Sequence, residues 1–196
     1  MIDFSALTYH VVTFGCQMNE HDSERIEGML SAAGAVSVQS IEDADIVVFV
    51  TCCVREAADV RAMGQIASLK NIPLRVDSPL SKRIVCMGGC VGQRDGFKIQ
   101  EKQKHVDVVF GTFNIASLLS LISETIEKHQ RQCSLEDKQQ SVFYDLPIKR
   151  KVDHAAWIPI NSGCNNFCTY CIVPYVRGRE TSRPMEDIVN EAKRYV

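Results

Sequence analysis

Short apolar segments alternate with longer amphipathic ones along the first two thirds of the chain. Four runs rich in β-branched residues have the length of strands: residues 9–14, 44–50, 83–88 and 106–110. Three segments carry apolar residues at helical spacing: residues 20–33, 55–70 and 114–132. The run at 44–50 is almost continuously apolar, which is typical of a strand covered on both faces. This alternation predicts an α/β domain with an open, mostly parallel sheet.

The last third of the chain has a different character. Residues 133–153 are polar and mixed and end in a basic stretch, so we interpret them as a linker between a domain at 1–132 and a second unit at 154–196. In that second unit, residues 156–160 predict a strand. Pro184 predicts the start of a helix over 185–196, because proline is favoured in the first helical turn.

Composition narrows the class of protein. The chain has 196 residues, a hydrophobic content of 45% and a formal charge of −2, which is ordinary for a globular protein. No apolar run has the length of a membrane span and the N-terminus lacks a signal-peptide pattern, so we expect a cytoplasmic protein without a membrane partner. Nine cysteines in a reducing compartment indicate metal binding or catalysis rather than disulfides.

Three cysteines near the C-terminal end have the spacing C-x3-C-x2-C: Cys164, Cys168 and Cys171. Three thiolates on one loop can bind three irons of a [4Fe–4S] cluster and leave the fourth iron open to a ligand. No cysteine follows Cys171 to complete a closed site of four thiolates. The alternative interpretation is a zinc knuckle or a chance cluster.

A second set of cysteines follows three of the predicted strands: Cys16, Cys52 and Cys90. The carboxyl ends of parallel strands lie at one edge of a sheet, where ligands bind in open α/β folds. We therefore predict a second [4Fe–4S] cluster here, the alternative being that these are free core cysteines. Cys86 is predicted to be a core residue, and Cys53 either a small neighbour or a substitute ligand. Cys133 is assigned no role.

Several longer motifs resemble one family, the tRNA methylthiotransferases of the radical S-adenosylmethionine superfamily. They are Thr-Phe-Gly-Cys-Gln-Met-Asn-Glu at 13–20, Thr-Cys at 51–52, Gly-Cys-Val-Gly-Gln-Arg at 89–94, His-Val-Asp-Val-Val-Phe-Gly-Thr at 105–112, and Ser-Gly-Cys-Asn-Asn-Phe-Cys-Thr-Tyr-Cys-Ile-Val-Pro at 162–174 with the residues up to 183. The resemblance covers most of residues 9–120 and 157–196. Gly-Cys-Gln-Met-Asn is similar to the branch that acts on isopentenyl-adenosine beside the anticodon.

The resemblance implies cofactors, partners and a reaction. Three cysteines would bind an auxiliary [4Fe–4S] cluster that supplies sulfur: Cys16, Cys52 and Cys90. Three others would bind the [4Fe–4S] cluster whose open iron takes S-adenosyl-L-methionine: Cys164, Cys168 and Cys171. Three arginines are either substrate or cofactor contacts or ordinary salt-bridge residues: Arg177, Arg179 and Arg183. The partners would be the anticodon loop of a tRNA and an electron donor such as flavodoxin or ferredoxin, and the protein a monomer.

Two residues depart from the family pattern: Val50 stands where asparagine is usual, and Gly92 where alanine is usual. Neither departure removes a ligand, and we expect Val50 to change hydrogen bonding around the auxiliary site. A (β/α) barrel needs on the order of 200 residues by itself. We therefore expect an N-terminal fragment that contains only the first βα unit of the barrel and is inactive alone. Alternatives are the branch that modifies ribosomal protein S12, and a non-catalytic iron–sulfur or zinc module.

Overall fold

The computed structural model describes residues 2–54, 56–135, 146–152 and 154–195. Its eight strands are β1 (Thr8–Phe14), β2 (Val36–Ser37), β3 (Ile46–Thr51), β4 (Ile84–Gly89), β5 (Val108–Phe110), β6 (Gln132–Ser134), β7 (Asn161–Ser162) and β8 (Thr181–Ser182). Its α-helices are α1 (Gln17–Ala32), α2 (Glu56–Ser68), α3 (Cys90–Asp95), α4 (Phe97–Lys102), α5 (Leu118–Lys128), α6 (Val173–Val176) and α7 (Met185–Lys193). Short 3-10 turns occur at Phe4–Ala6, Leu69–Asn71 and Ile115–Ser117. No helix in these ranges combines the length and the apolar character that a bilayer span requires.

Six strands form one parallel sheet in the order β2-β1-β3-β4-β5-β6. The predicted α/β fold with a parallel sheet is therefore confirmed. The chain first runs from β1 outward to β2 and then returns to place β3 on the other side of β1. The strand order thus reverses between β1 and β3, and in such sheets a crevice forms at the carboxyl ends of the strands at this point.

Side chains of β3 alternate between two hydrophobic cores, one on each face of the sheet. One core contains Val48 with the inner faces of α1 and α5, and the other contains Phe49 with α2, α3 and α4. All six residues of β3 are buried, which explains why its sequence is almost continuously apolar rather than alternating.

The predicted helix at 114–132 is wrong at both ends. A 3-10 turn occupies its start, and α5 itself ends at Lys128 because His129 adopts a left-handed conformation with φ of 52°. After this turn, β6 pairs with β5 along Gln132–Ser134 as the edge strand of the sheet. Cys133, predicted to follow the end of a helix, is therefore a strand residue.

The described part of the predicted linker lies against α1. The backbone N–H of Lys149 donates to the carbonyl of Glu24 (2.9 Å), and the Lys151 ammonium contacts the Glu20 carboxylate (2.8 Å). Gly28 permits this approach, since a Cβ there would lie 2.2 Å from the Pro147 carbonyl oxygen. Residues 136–145 and 153 of the linker prediction lie outside the described residues.

The second unit is built around a short antiparallel pairing of β7 with β8. The predicted strand at 156–160 is wrong, because these residues have no strand pairing and the strand begins only at Asn161. The predicted helix after Pro184 is present as α7, with Pro184 at its N-cap.

Candidate metal centres

Three neighbouring strands deliver Cys16, Cys52 and Cys90 to one edge of the sheet. In the strand register Phe14 lies beside Thr51, and Thr51 lies beside Gly89. Cys52 and Cys90 each come one residue after these aligned ends, and Cys16 comes two residues after Phe14. We call this set the sheet-edge trio.

Asn19 joins the loops that carry the trio. Its side chain is fully buried, and its Oδ1 lies 3.4 Å from both the backbone N and the Sγ of Cys16. Its Nδ2 donates to the carbonyl of Thr51 at 3.1 Å. Because one amide group bonds to two loops, it holds the first cysteine of the trio beside the second.

The third loop approaches the same amide through a glycine. Gly89 has φ of 85°, in the left-handed region, and a Cβ there would lie 2.6 Å from the Thr51 carbonyl oxygen and 3.2 Å from Asn19 Nδ2. Only glycine permits this backbone conformation and contact without strain. The β4–α3 turn therefore brings Cys90 toward the other two loops.

Cys90 has two polar partners. The interaction between the neighbouring Cys53 and Cys90 thiols raises the pKa of Cys53 and lowers the pKa of Cys90. The Arg177 guanidinium also lowers the pKa of Cys90, and its Nε donates to Cys90 Sγ at 3.3 Å. The surroundings of Cys90 thus favour the thiolate, which is the form that binds metals.

The chemistry of the donors fits an iron–sulfur cluster at this edge. Cys52 and Cys90 are buried and Cys16 is half-buried, so a group bound among them would be largely shielded from water. In the described ranges, no three Cys, His, Asp or Glu side chains are grouped as ligands of a single metal ion. A cluster with four irons spaces its thiolates more widely than a single ion does, because each thiolate binds a different iron.

Three further cysteines lie on one loop between β7 and β8. We call Cys164, Cys168 and Cys171 the loop trio. The backbone N–H of Cys164 donates to the carbonyl of Gly178 (3.1 Å), and that of Glu180 donates to Asn165 Oδ1 (3.1 Å). At Gly163, with φ of 80°, a Cβ would lie 2.2 Å from the Arg179 carbonyl oxygen. The two ends of the loop are therefore held together by backbone contacts.

The loop trio is more accessible than the sheet-edge trio. Cys168 is exposed, while Cys164 and Cys171 are half-buried. Phe167 packs edge-on against Tyr175, with ring centroids 5.9 Å apart, and the Arg179 guanidinium lies 5.0 Å from the centre of the Phe167 ring. This arrangement leaves three sulfur donors on an open loop with one stabilised aromatic residue at its tip.

The three predicted arginines have three different environments. Arg177 is buried and bonds to Cys90 and to the Asp22 carboxylate (2.6 Å). Arg183 is buried beside Glu191, 2.5 Å away, and donates to the Pro159 carbonyl at 3.1 Å. Arg179 is the exposed one of the three.

The remaining sequence predictions near these sites have clear structural positions. Cys86 is fully buried in the sheet, as predicted, and its burial raises its pKa. Val50 packs in the core. The hydrogen bonds around the adjacent Thr51 are made by Asn19 and by the Thr51 hydroxyl, which donates to the Gly88 carbonyl (2.7 Å). At Gly92, a Cβ would lie 2.4 Å from the Phe110 carbonyl oxygen.

Sequence reasoning missed two residues of this region, Asn19 and Asp22. Both are buried on α1 within the first two turns after Cys16. Polar residues that face a core need partners, and this signal was available for Asp22, in the first turn of the predicted helix at 20–33. Asn19 precedes that predicted helix, and only the structure shows that α1 begins at Gln17 and includes it.

Comparison with known proteins identifies the family of the chain. Residues 8–111, more than half of the chain, match the family described as "Uncharacterized protein family UPF0004". The chain belongs to this family. The matched region of this UPF0004 chain runs from β1 to the end of β5 and includes the whole sheet-edge trio.

Curated relatives extend the similarity through the loop trio. The chain is 42% identical over 95% of its length to a tRNA-2-methylthio-N(6)-dimethylallyladenosine synthase of Thermoanaerobacter sp. (strain X514). It is 40% identical over 96% of its length to proteins of the same name from Carboxydothermus hydrogenoformans and Clostridium botulinum (strain Okra / Type B1). The chain spans 39%, 42% and 41% of the length of these three relatives.

Proposed function

We propose that this chain is the cluster-binding part of a tRNA methylthiotransferase that modifies isopentenyl-adenosine next to the anticodon. The observation that carries the proposal is the alignment of three cysteine-bearing loops at the ends of β1, β3 and β4. The names of the relatives that match 95–96% of this chain support the substrate class. The activity would belong to a longer protein, and we expect this chain alone to show no turnover.

Each trio would bind one [4Fe–4S] cluster by three cysteines. The sheet-edge trio would bind the auxiliary cluster: Cys16, Cys52 and Cys90. The loop trio would bind the second cluster together with S-adenosyl-L-methionine: Cys164, Cys168 and Cys171. When bound, these groups would supply one-electron cleavage of S-adenosyl-L-methionine and the sulfur for transfer.

The chain's own residues would give the two sites different surroundings. Burial of Cys52 and Cys90 would shield the sulfur-supplying site from water, and the neighbouring Cys53 thiol and the Arg177 donor would keep Cys90 in the ligand-competent form. Exposure of Cys168 would leave the loop site open to its small-molecule partner. Arg179, exposed beside the loop, is our proposed contact to the substrate or cofactor.

The same proposal specifies the partners. The nucleic-acid partner would be the anticodon loop of a tRNA, and the electron donor a small redox protein such as flavodoxin or ferredoxin. We propose that the protein is monomeric and acts in the cytoplasm without a membrane partner.

Anaerobic reconstitution of the chain with iron and sulfide tests the proposal. We expect about two clusters' worth of iron and sulfide, of which Cys16→Ala and Cys168→Ala each remove one. Cys133→Ala, at a cysteine in the edge strand outside both trios, is the matched control and should keep both clusters.

Other outcomes would favour the alternatives. Tight zinc binding without a brown chromophore would contradict the proposal and favour a zinc module. The ribosomal branch would be indicated if a strain lacking the gene kept its methylthiolated adenosine but lost the modification of protein S12. Methylthiolated tRNA produced by this chain alone, with S-adenosyl-L-methionine and a reductant, would refute the expectation that it is inactive.

A further inference from the structure

Arg177 connects the two cysteine sites. It lies six residues after Cys171 along the chain, yet its guanidinium reaches the sheet-edge site, where Nε donates to Cys90 Sγ at 3.3 Å. A second nitrogen of the same group donates to Asp22 Oδ2 at 2.6 Å. One buried side chain from the second unit thus bonds to two elements of the sheet domain, α1 and the start of α3.

The backbone beside Arg177 is held in the same position. The Thr112 hydroxyl donates to the carbonyl of Val176 at 2.5 Å, and Val176 is itself buried. The backbone N–H of Arg177 donates to the Val173 carbonyl at 2.8 Å, which completes the single turn of α6. The guanidinium therefore reaches Cys90 from a fixed backbone rather than from a free loop.

Asp22 alone would already pair the charge of Arg177. The Nε donation to Cys90 is an additional bond, made to a sulfur that we assign as a cluster ligand. Hydrogen bonds to ligand sulfurs withdraw electron density from a cluster and stabilise its reduced, more negative state. Arginine suits this role because its planar group donates in two fixed directions at once, which a lysine ammonium does not.

We propose that Arg177 is a positioning residue of the sheet-edge site, which fixes the Cys90 sulfur and raises the reduction potential of the cluster bound there. This inference rests on the proposed function, since it needs a cluster at the sheet-edge trio. It gives Arg177 a role within the protein rather than at the RNA or at S-adenosyl-L-methionine.

The test uses the full chain with the loop trio replaced by alanine, so that only the sheet-edge site binds a cluster. In this background, Arg177→Met alone would leave the Asp22 carboxylate buried without its cation and could unfold the protein. The decisive variant is therefore Arg177→Met combined with Asp22→Asn, which removes one charge of each sign and leaves the net charge unchanged.

We expect the double variant to bind iron and sulfide but to shift the midpoint potential to a more negative value. A change on the order of tenfold in the reduction equilibrium corresponds to about 59 mV for a one-electron couple. Arg177→Lys keeps a cation at this position, so it should shift the midpoint potential less than the double variant does. Arg183→Met combined with Glu191→Gln is the matched control, because it removes a buried ion pair of the second unit in the same charge-neutral way. It should lower stability without moving the potential.

Two results would overturn the inference alone: an unchanged potential in the Arg177→Met/Asp22→Asn variant, or an equal shift in the Arg183→Met/Glu191→Gln control. A parent chain that binds no cluster at this site would instead refute the proposed function, and the role of Arg177 with it. The iron content of the parent therefore separates the two failures.

Discussion

The two cysteine trios are built in opposite ways. The sheet-edge trio comes from three loops far apart in the sequence, and strand register and one buried amide bring these loops together. The loop trio comes from eight consecutive residues, 164–171, on a loop closed by a two-residue strand pair. One site depends on the whole domain, whereas the other depends mainly on its own loop.

This difference affects how each site should respond to damage. A change at the sheet edge acts on a core that unfolds cooperatively, so its cost should appear in the global free energy of unfolding. A change in the exposed loop should open that loop locally and leave the global transition in place. Matched substitutions in the two regions test this contrast.

The largest contrast is expected between two glycines with positive φ. Gly89→Ala would strain the backbone and press a methyl group against the Thr51 carbonyl, so we expect it to lower the global free energy of unfolding by about 3 kcal/mol or more. Gly163→Ala meets the Arg179 carbonyl in the same way. It should raise protease cleavage within 163–179 and leave the urea midpoint almost unchanged. Equal losses of global stability in both variants would contradict the contrast.

A pH effect should follow from the sheet domain. Burial, with a further contribution from Arg25, lowers the pKa of His21 from 6.5 to about 4. Between pH 6.5 and 4 the unfolded chain binds a proton at His21 that the folded protein does not. The free energy of unfolding is therefore highest above pH 6.5 and decreases as the pH falls towards 4. The loss should reach on the order of 3 kcal/mol.

The measurement is urea unfolding across that pH range for the parent and for His21→Gln. The difference between the two curves isolates the histidine, because the buried Glu24 and the half-buried Glu27, whose pKa values are raised by desolvation, are present in both. A difference that does not change with pH would contradict the assignment.

Two asparagines provide the next comparison. Asn19→Ala leaves the buried Thr51 carbonyl without its donor, so we expect a global loss of about 2 kcal/mol and reduced iron at the sheet-edge trio. Asn165→Ala removes an exposed hydrogen bond from the Glu180 backbone N–H and should lower the free energy of unfolding by about 0.5 kcal/mol. Any loss of iron in this variant should be confined to the loop trio. Iron should be measured in backgrounds that retain a single trio. Iron loss at the loop trio in Asn19→Ala would show that the sites are not independent.

The smallest effect is expected at the tip of the loop. Arg179→Gln removes a cation–π contact with Phe167 that is worth about 0.5–1 kcal/mol at an exposed position. Amide hydrogen exchange should become faster for residues around Phe167 and stay unchanged in β3. Faster exchange in β3 would mean that the loop and the sheet are coupled more strongly than their contacts indicate.

Much of the sheet domain was predictable from local sequence. Apolar runs located β1, β3, β4 and β5 to within two residues, because buried parallel strands leave a strong local pattern. The helix at 114–132 was extended too far, since its apolar spacing does not reveal that His129 turns left-handed and that an edge strand follows. Edge strands are short and half-buried, so they lack the continuous apolar run of a central strand.

The amino-acid sequence alone established which cysteines exist, their spacing in the loop trio, and the strands that precede Cys16, Cys52 and Cys90. The neighbours of those sulfurs became visible only in the folded structure. Arg177 bonds to Cys90 across 87 positions and to Asp22 across 155. Contacts of this kind arise from the packing of distant elements, and hydrophobic periodicity, which is a local property, carries no information about them.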